Sequence, residues 1–153
     1  MNKVNRTFAL LLMLAVLASV TGCESKSFQY TFRQNRNNVE KVEICAFDYS
    51  QEKTVEPLRS LTGDDIDAIL SDLSSMECWK QSGLDSPRSY GDILICIHYL
   101  DGEIEVIGTV NIGWITPNGD WHLTMNFFKF NDLREILLKY VDADTLAAAS
   151  EDF

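Results

Sequence analysis

Apolar and polar positions alternate in two different rhythms along this chain, and the rhythms divide it into strands and helices. Phe28, Tyr30 and Phe32 alternate with polar residues, which predicts a strand. Asn35-Arg36-Asn37-Asn38 follows as a turn, and Val39 to Tyr49 reads as a second strand. A three-residue loop at Arg36–Asn38 sets Phe32 against Val42 and Tyr30 against Ile44 in a hairpin. Gln51 to Arg59 is expected to be a polar connection. The period then lengthens. Ile66, Ile69, Leu70, Leu73 and Met76 form one stripe of a helix, with Thr62 as its expected cap and Asp64, Asp65 and Asp67 in its first turn, where a helix dipole favours negative charge. Cys78-Trp79 closes that stripe, and Ser82 to Ser89 is a loop. Asp92 to Leu100, Glu103 to Ile115 and Trp121 to Phe128 read as three more strands, joined by turns at Asp101-Gly102 and Pro117-Asn118-Gly119. Asn131 is the expected cap of a last helix bearing Leu133, Ile136, Leu137 and Tyr140, and Asp142 to Phe153 reads as a frayed acidic tail.

The order is ββαβββα. It predicts an α+β fold in which an antiparallel sheet of about five strands carries two helices on one face. A two-residue turn at Asp101-Gly102 pairs Leu100 with Glu103, Ile97 with Val106 and Ile95 with Gly108. In the next hairpin, Trp114 pairs with Trp121. These registers put Ile93, Ile95, Ile97, Val106 and Ile112 on the helix-covered face. The opposite face then holds Leu94, Cys96, His98, Leu100, Glu105, Ile107 and Thr109.

The start of the chain follows neither rhythm. Lys3 and Arg6 precede an unbroken apolar run from Phe8 to Leu17, and Val20-Thr21-Gly22-Cys23 follows. This is the layout of an export signal, whose core is shorter than the ~20 apolar residues that cross a bilayer. The segment resembles the signal peptide and lipobox of bacterial lipoproteins: an aliphatic residue, two small residues, then Cys. The resemblance covers the first 23 residues. It implies that residues 1–22 are removed and that Cys23 becomes a lipidated first residue, carrying a diacylglyceryl thioether and fatty acyl chains such as palmitate. The protein is then expected on the extracytoplasmic side of a cell membrane or outer membrane. Residues 23–27 form a tether, and residues 28–141 a single domain. Two or three acyl chains on one residue anchor stably, since each buried methylene contributes about 0.8 kcal/mol.

Charge adds to this picture. Residues 23–153 hold 11 basic and 23 acidic residues, a net charge of −12. Glu24–Leu61 is neutral, with six of each sign, and Thr62–Phe153 carries the whole excess. A chain this acidic lacks the basic footprint that nucleic acid requires. Cys45, Cys78 and Cys96 remain after Cys23, in no CxxC or zinc-knuckle spacing, so no structural metal or cofactor is expected.

The candidate chemistry lies on the face opposite the helices. Cys96 and His98 are two residues apart on one strand and share a face. The register above sets Glu105 opposite His98. A Cys, a His and a carboxylate together suit either a nucleophile with its base and orienter, or three ligands of a metal. A flat strand surface offers no oxyanion hole, so the leading expectation is a non-enzymatic domain that binds another envelope protein or a surface ligand. The alternatives are a small thiol- or metal-dependent enzyme using Cys96, His98 and Glu105, and a structural envelope protein. Trp114 and Trp121 read as a cross-strand pair in the core, or as a grip for carbohydrate.

Overall fold

A computed structural model describes residues 27–48, 53–80 and 91–150. The lipobox-like segment, Cys23, the Ser82–Ser89 loop and residues 151–153 lie outside them.

Among the described residues, nine strands form two sheets, and three α-helices cover one side. The strands are β1 (Ser27–Gln29), β2 (Val39–Asp48), β3 (Lys53–Leu61), β4 (Glu77–Lys80), β5 (Ile93–Tyr99), β6 (Ile104–Gly108), β7 (Ile112–Ile115), β8 (Trp121–Leu123) and β9 (Asn126–Phe128). The helices are α1 (Asp64–Ser75), α2 (Phe130–Tyr140) and α3 (Ala143–Ala149). The class is the expected α+β. The strands number more than five, because the pattern missed β3 and β4, the break between β8 and β9, and the turn after Gly108 that divides the expected single strand Glu103–Ile115 into the antiparallel pair β6 and β7.

The larger sheet runs β3-β2-β5-β6-β7-β8, antiparallel throughout. At its centre, β5 reads Ile-Leu-Ile-Cys-Ile-His-Tyr, nearly apolar on both faces, as suits a strand covered on both sides. Val42, Ile44, Ile93, Ile95, Ile97, Tyr99 and Ile107 point into the main core, which receives Ile66, Ile69, Leu70 and Leu73 from α1 and Leu133, Ile136 and Leu137 from α2. Both helices therefore bury the stripes their 3.6-residue period predicts.

The smaller sheet runs β1-β4-β9. Here the expected hairpin is corrected. β1 pairs with β4, Phe28 opposite Cys78, and does not reach β2. A strand has two edges, and both of those of β2 are taken, by β3 and β5. Within the expected polar connection at Gln51–Arg59, the described residues from Lys53 onward are in fact edge strand β3, where Pro57 is tolerated at an irregular stretch of the pairing with β2.

Helix ends are corrected as well. Gly63, at φ +55°, stands before α1, and Thr62 contributes its carbonyl to Asp65 N–H at 3.2 Å. Lys129 precedes α2, and Asn131 lies inside it. The expected tail forms α3. The Asp142 side chain accepts from Thr145 N–H at 2.9 Å, the usual work of an N-cap, and Leu146 is fully buried in the main core.

Candidate functional site

The geometry around Cys96, His98 and Glu105 is decided at the β5–β6 turn. Gly102 N–H donates to Tyr99 O at 2.9 Å, and Tyr99 N–H donates to Glu103 O at 2.9 Å. The loop is therefore three residues, Leu100-Asp101-Gly102, with Gly102 at φ +86° and the Asp101 carboxylate accepting from Glu103 N–H at 3.0 Å. The two-residue turn is corrected, and every pairing beyond it moves by one. Ile97 now faces Glu105, Cys96 faces Val106 and His98 faces Ile104. A one-residue shift exchanges the faces of a strand. Glu105 accordingly enters the helix-covered core, and it does not sit opposite His98. The trio expected to act together is split between the two faces of the sheet.

The same event recurs at the next turn. Gly119 N–H donates to Thr116 O at 2.8 Å and Thr116 N–H to Asp120 O at 2.9 Å, with Gly119 at φ +90°. Trp114 then pairs with His122 and Trp121 with Ile115, so the two tryptophans lie on opposite faces and are not a pair. The Trp114 ring is occupied by its neighbours: His122 stacks on it at 4.8 Å, and the Arg33 guanidinium lies 4.1 Å from its centre.

Glu105 is 1% exposed. Its carboxylate accepts the hydroxyls of Tyr30 and Tyr99 and, at 3.1 Å, the backbone N–H of Arg33. The Arg33 side chain turns to Glu103, donating at 2.7 and 2.9 Å. Burial pushes the Glu105 carboxyl above its ordinary range, against the three hydrogen bonds and the Arg33 charge, which favour the anion. Burial and the facing carboxylate raise both tyrosines. This cluster holds the segment between β1 and β2 across β5 and β6. It missed prediction because Tyr30 and Arg33, on the segment between β1 and β2, are more than 60 residues from Tyr99 and Glu105; the sequence signal was a lone Glu flanked by Ile104 and Val106.

The second face of the larger sheet carries Cys45, Leu94, Cys96 and Val106, all buried, with Phe47, Ile104, Ile115 and Leu123 against them. The Phe47 and Trp121 rings meet edge to face at 5.6 Å. They sit four strands apart, which is about 19 Å across a flat sheet. The sheet therefore curls, with this face on the inside. Cys96 is 3% exposed, and its thiol is hydrogen-bonded to that of Cys45, one strand away. That bond and burial push the Cys96 thiol well up. His98 shares the face, as expected, at its more open end. Its Nε2 lies 2.9 Å from Glu43 Oε2, and Lys41 Nζ lies 2.9 Å from Glu43 Oε1. Burial and the Lys41 charge lower the His98 pKa in spite of Glu43. Burial would raise the Glu43 carboxyl, but Lys41 and His98 outweigh it and hold it below the usual range. Glu43 is thus the carboxylate partner of His98. Its position between Val42 and Ile44 signalled this face, but only the β2–β5 register brings it to His98.

Chemically, the second face offers an enclosed thiol pair and a neutral imidazole held by a carboxylate. Among the described residues, no three His, Cys, Asp or Glu side chains are placed to hold a metal ion. The acidic first turn of α1 is met by arginines: Arg36 pairs with Asp67, and Arg59 approaches Asp65 at 4.0 Å.

Fold and geometry define an α+β protein of two antiparallel sheets with helices on one side. No protein family, curated protein or solved structure matches the chain.

Proposed function

We propose that this chain is a lipid-anchored extracytoplasmic lipoprotein, attached through Cys23, whose folded part is a non-enzymatic binding module for another envelope protein or a surface ligand. The observation that carries the reading is Val20-Thr21-Gly22-Cys23 after the apolar run Phe8–Leu17. Among the described residues no helix is long and apolar enough to cross a membrane, so the lipid is the attachment this reading relies on. The non-enzymatic half is supported by the separation of Glu105 from His98 and by the enclosure of Cys96, since a nucleophile must meet its substrate.

Cys23→Ala tests the anchor. Metabolic labelling with a fatty-acid precursor is expected to mark the wild type and not the variant. Equal labelling of both removes the reading. Mild crosslinking on intact cells followed by capture of the chain tests the binding module, with a discrete crosslinked species as the expected result.

A further inference from the structure

Cys23 and Ser27 are four peptide steps apart, which spans at most about 14 Å. Ser27 pairs with Trp79 across β1 and β4, and paired Cα atoms stand about 5 Å apart. Trp79 therefore lies within about 20 Å of the anchoring residue, in a domain about 35 Å across for its size. The small sheet must occupy the half of the domain nearest the anchor.

That half has a surface suited to a bilayer. Phe28, opposite Cys78 on the edge strand β1, points to the inner face of the small sheet, so its outer face is that of Ser27, Trp79 and Phe127. Trp79 and Phe127 are cross-strand partners, both half-buried, and Lys129 lies 4.6 Å over the Trp79 ring. Phe127 continues into a shallow hollow of about 580 Å³, walled also by Val110, Lys129 and Phe130. Aromatic rings capped by lysine are the residues that settle at the headgroup boundary, with the ammonium turned to the phosphates. Charge agrees. Lys129 over the Trp79 ring offsets Glu77, which shares the face of β4 with Trp79, within a stretch, Thr62–Phe153, that carries −12 overall. Elsewhere that excess repels an anionic leaflet.

The other end of the domain is different. Val110 follows β6, whereas the Asp101–Gly102 turn precedes it, so the two lie at opposite ends of the strand. The chain leaving β1 runs to that far end, where Gln34 donates to Asp101 at 2.8 Å. The far turns carry Asp101 and Asp120.

We propose that the aromatic face formed by Trp79, Phe127 and Phe130, with Lys129 at its rim, rests on the phospholipid surface. The domain is then oriented, with the Asp101 and Asn118 turns pointing away from the membrane. This rests on the lipid-anchor reading above.

The test uses the full lipidated chain, purified from membranes and placed in bilayer nanodiscs of mixed zwitterionic and anionic phospholipid bearing a headgroup nitroxide. Paramagnetic broadening of backbone amide signals is expected to be strong at Phe28, Trp79, Phe127 and Lys129 and weak at Asp101 and Asn118. Phe127→Ser combined with Lys129→Glu, both on the proposed face, is expected to reduce that contrast. Broadening that is equal at both ends, or a contrast untouched by the double substitution, overturns the proposed face. Mass spectrometry of the same preparation separates the two readings. A lipidated Cys23 with uniform broadening sinks the face alone, whereas a Cys23 without lipid sinks the anchor and this inference with it.

Discussion

The two faces of the larger sheet are built from the same strands and hold different chemistry. Under the helices, Ile93, Ile95, Ile97 and Tyr99 surround one buried carboxylate, Glu105, whose oxygens are engaged by two tyrosines and a backbone amide. On the inside of the curl, Leu94, Cys96 and Val106 surround a thiol pair, and the only carboxylate described beside it, Glu43, is half-buried near the rim with Lys41 and His98. The first face encloses a polar group and must satisfy it. The second encloses only thiols and holds its charged groups at a half-buried rim, where they pair with one another. An acid at the centre of a sheet is thus a structural tie here, and the reactive residue types on the other face do not share a space with it.

The largest effect is expected where that enclosure is broken. Ile97 is fully buried on the helix-covered face, and Ile97→Asp puts a second, unpartnered carboxylate opposite Glu105. A penalty of several kcal/mol is about the whole stability of a small domain. Loss of the cooperative thermal transition is expected. A near-native melting temperature would place Ile97 on the other face and contradict the register.

Glu105 itself comes next. Glu105→Ala leaves the Tyr30 and Tyr99 hydroxyls without their acceptor and opens a cavity, at a cost of about 3 kcal/mol. Glu105→Gln keeps an acceptor and isolates the charge. A carboxyl raised in the folded state holds its proton more tightly there than in the unfolded chain. Its contribution is therefore fully present below the reference value of 4.5 and is lost as pH rises through the folded value. The wild type is expected to lose stability relative to Glu105→Gln across that window, read as urea midpoints at successive pH values. A wild-type advantage that grows with pH would show that the hydrogen bonds outweigh burial.

The turns that separate the faces give a smaller effect. Gly102 and Gly119 both hold positive φ, with nothing but Pro117 near a Cβ at the first and open space at the second. Gly102→Ala and Gly119→Ala are expected to cost roughly 1–2 kcal/mol each, from backbone strain alone. Neutral substitutions would mean the loops are not the three-residue turns described.

The smallest effect sharpens the second face. With Cys45 and Cys78 changed to Ser, Cys96 is expected to react slowly with iodoacetamide at neutral pH and to become fast when the domain is unfolded, because it is enclosed. His98→Ala is expected to leave the slow rate unchanged. A fast reaction that depends on His98 would make this face chemical and revive the thiol-enzyme reading.

Local periodicity carried much of the fold. The stripes Ile66-Ile69-Leu70-Leu73 and Leu133-Ile136-Leu137, and the strand from Ile93 to Tyr99, are set by spacing that each segment bears within itself, and they fold where spacing says, whereas the expected single strand Glu103–Ile115 doubles back as β6 and β7. Cys96 and His98 share a face because side chains two apart on a strand must. What lay beyond the sequence depends on groups distant in it. β3 and α3 look polar or Ala-rich until β2 offers an edge and the core takes in Leu146. β1 joins β4 because β2 has no edge left. The site turned on one residue: Gly102 supports either a two-residue or a three-residue turn, and local sequence does not choose between them. The tertiary structure chooses, since the longer turn lets Glu105 meet Tyr30, Tyr99 and Arg33, partners that no stretch of neighbouring residues reveals.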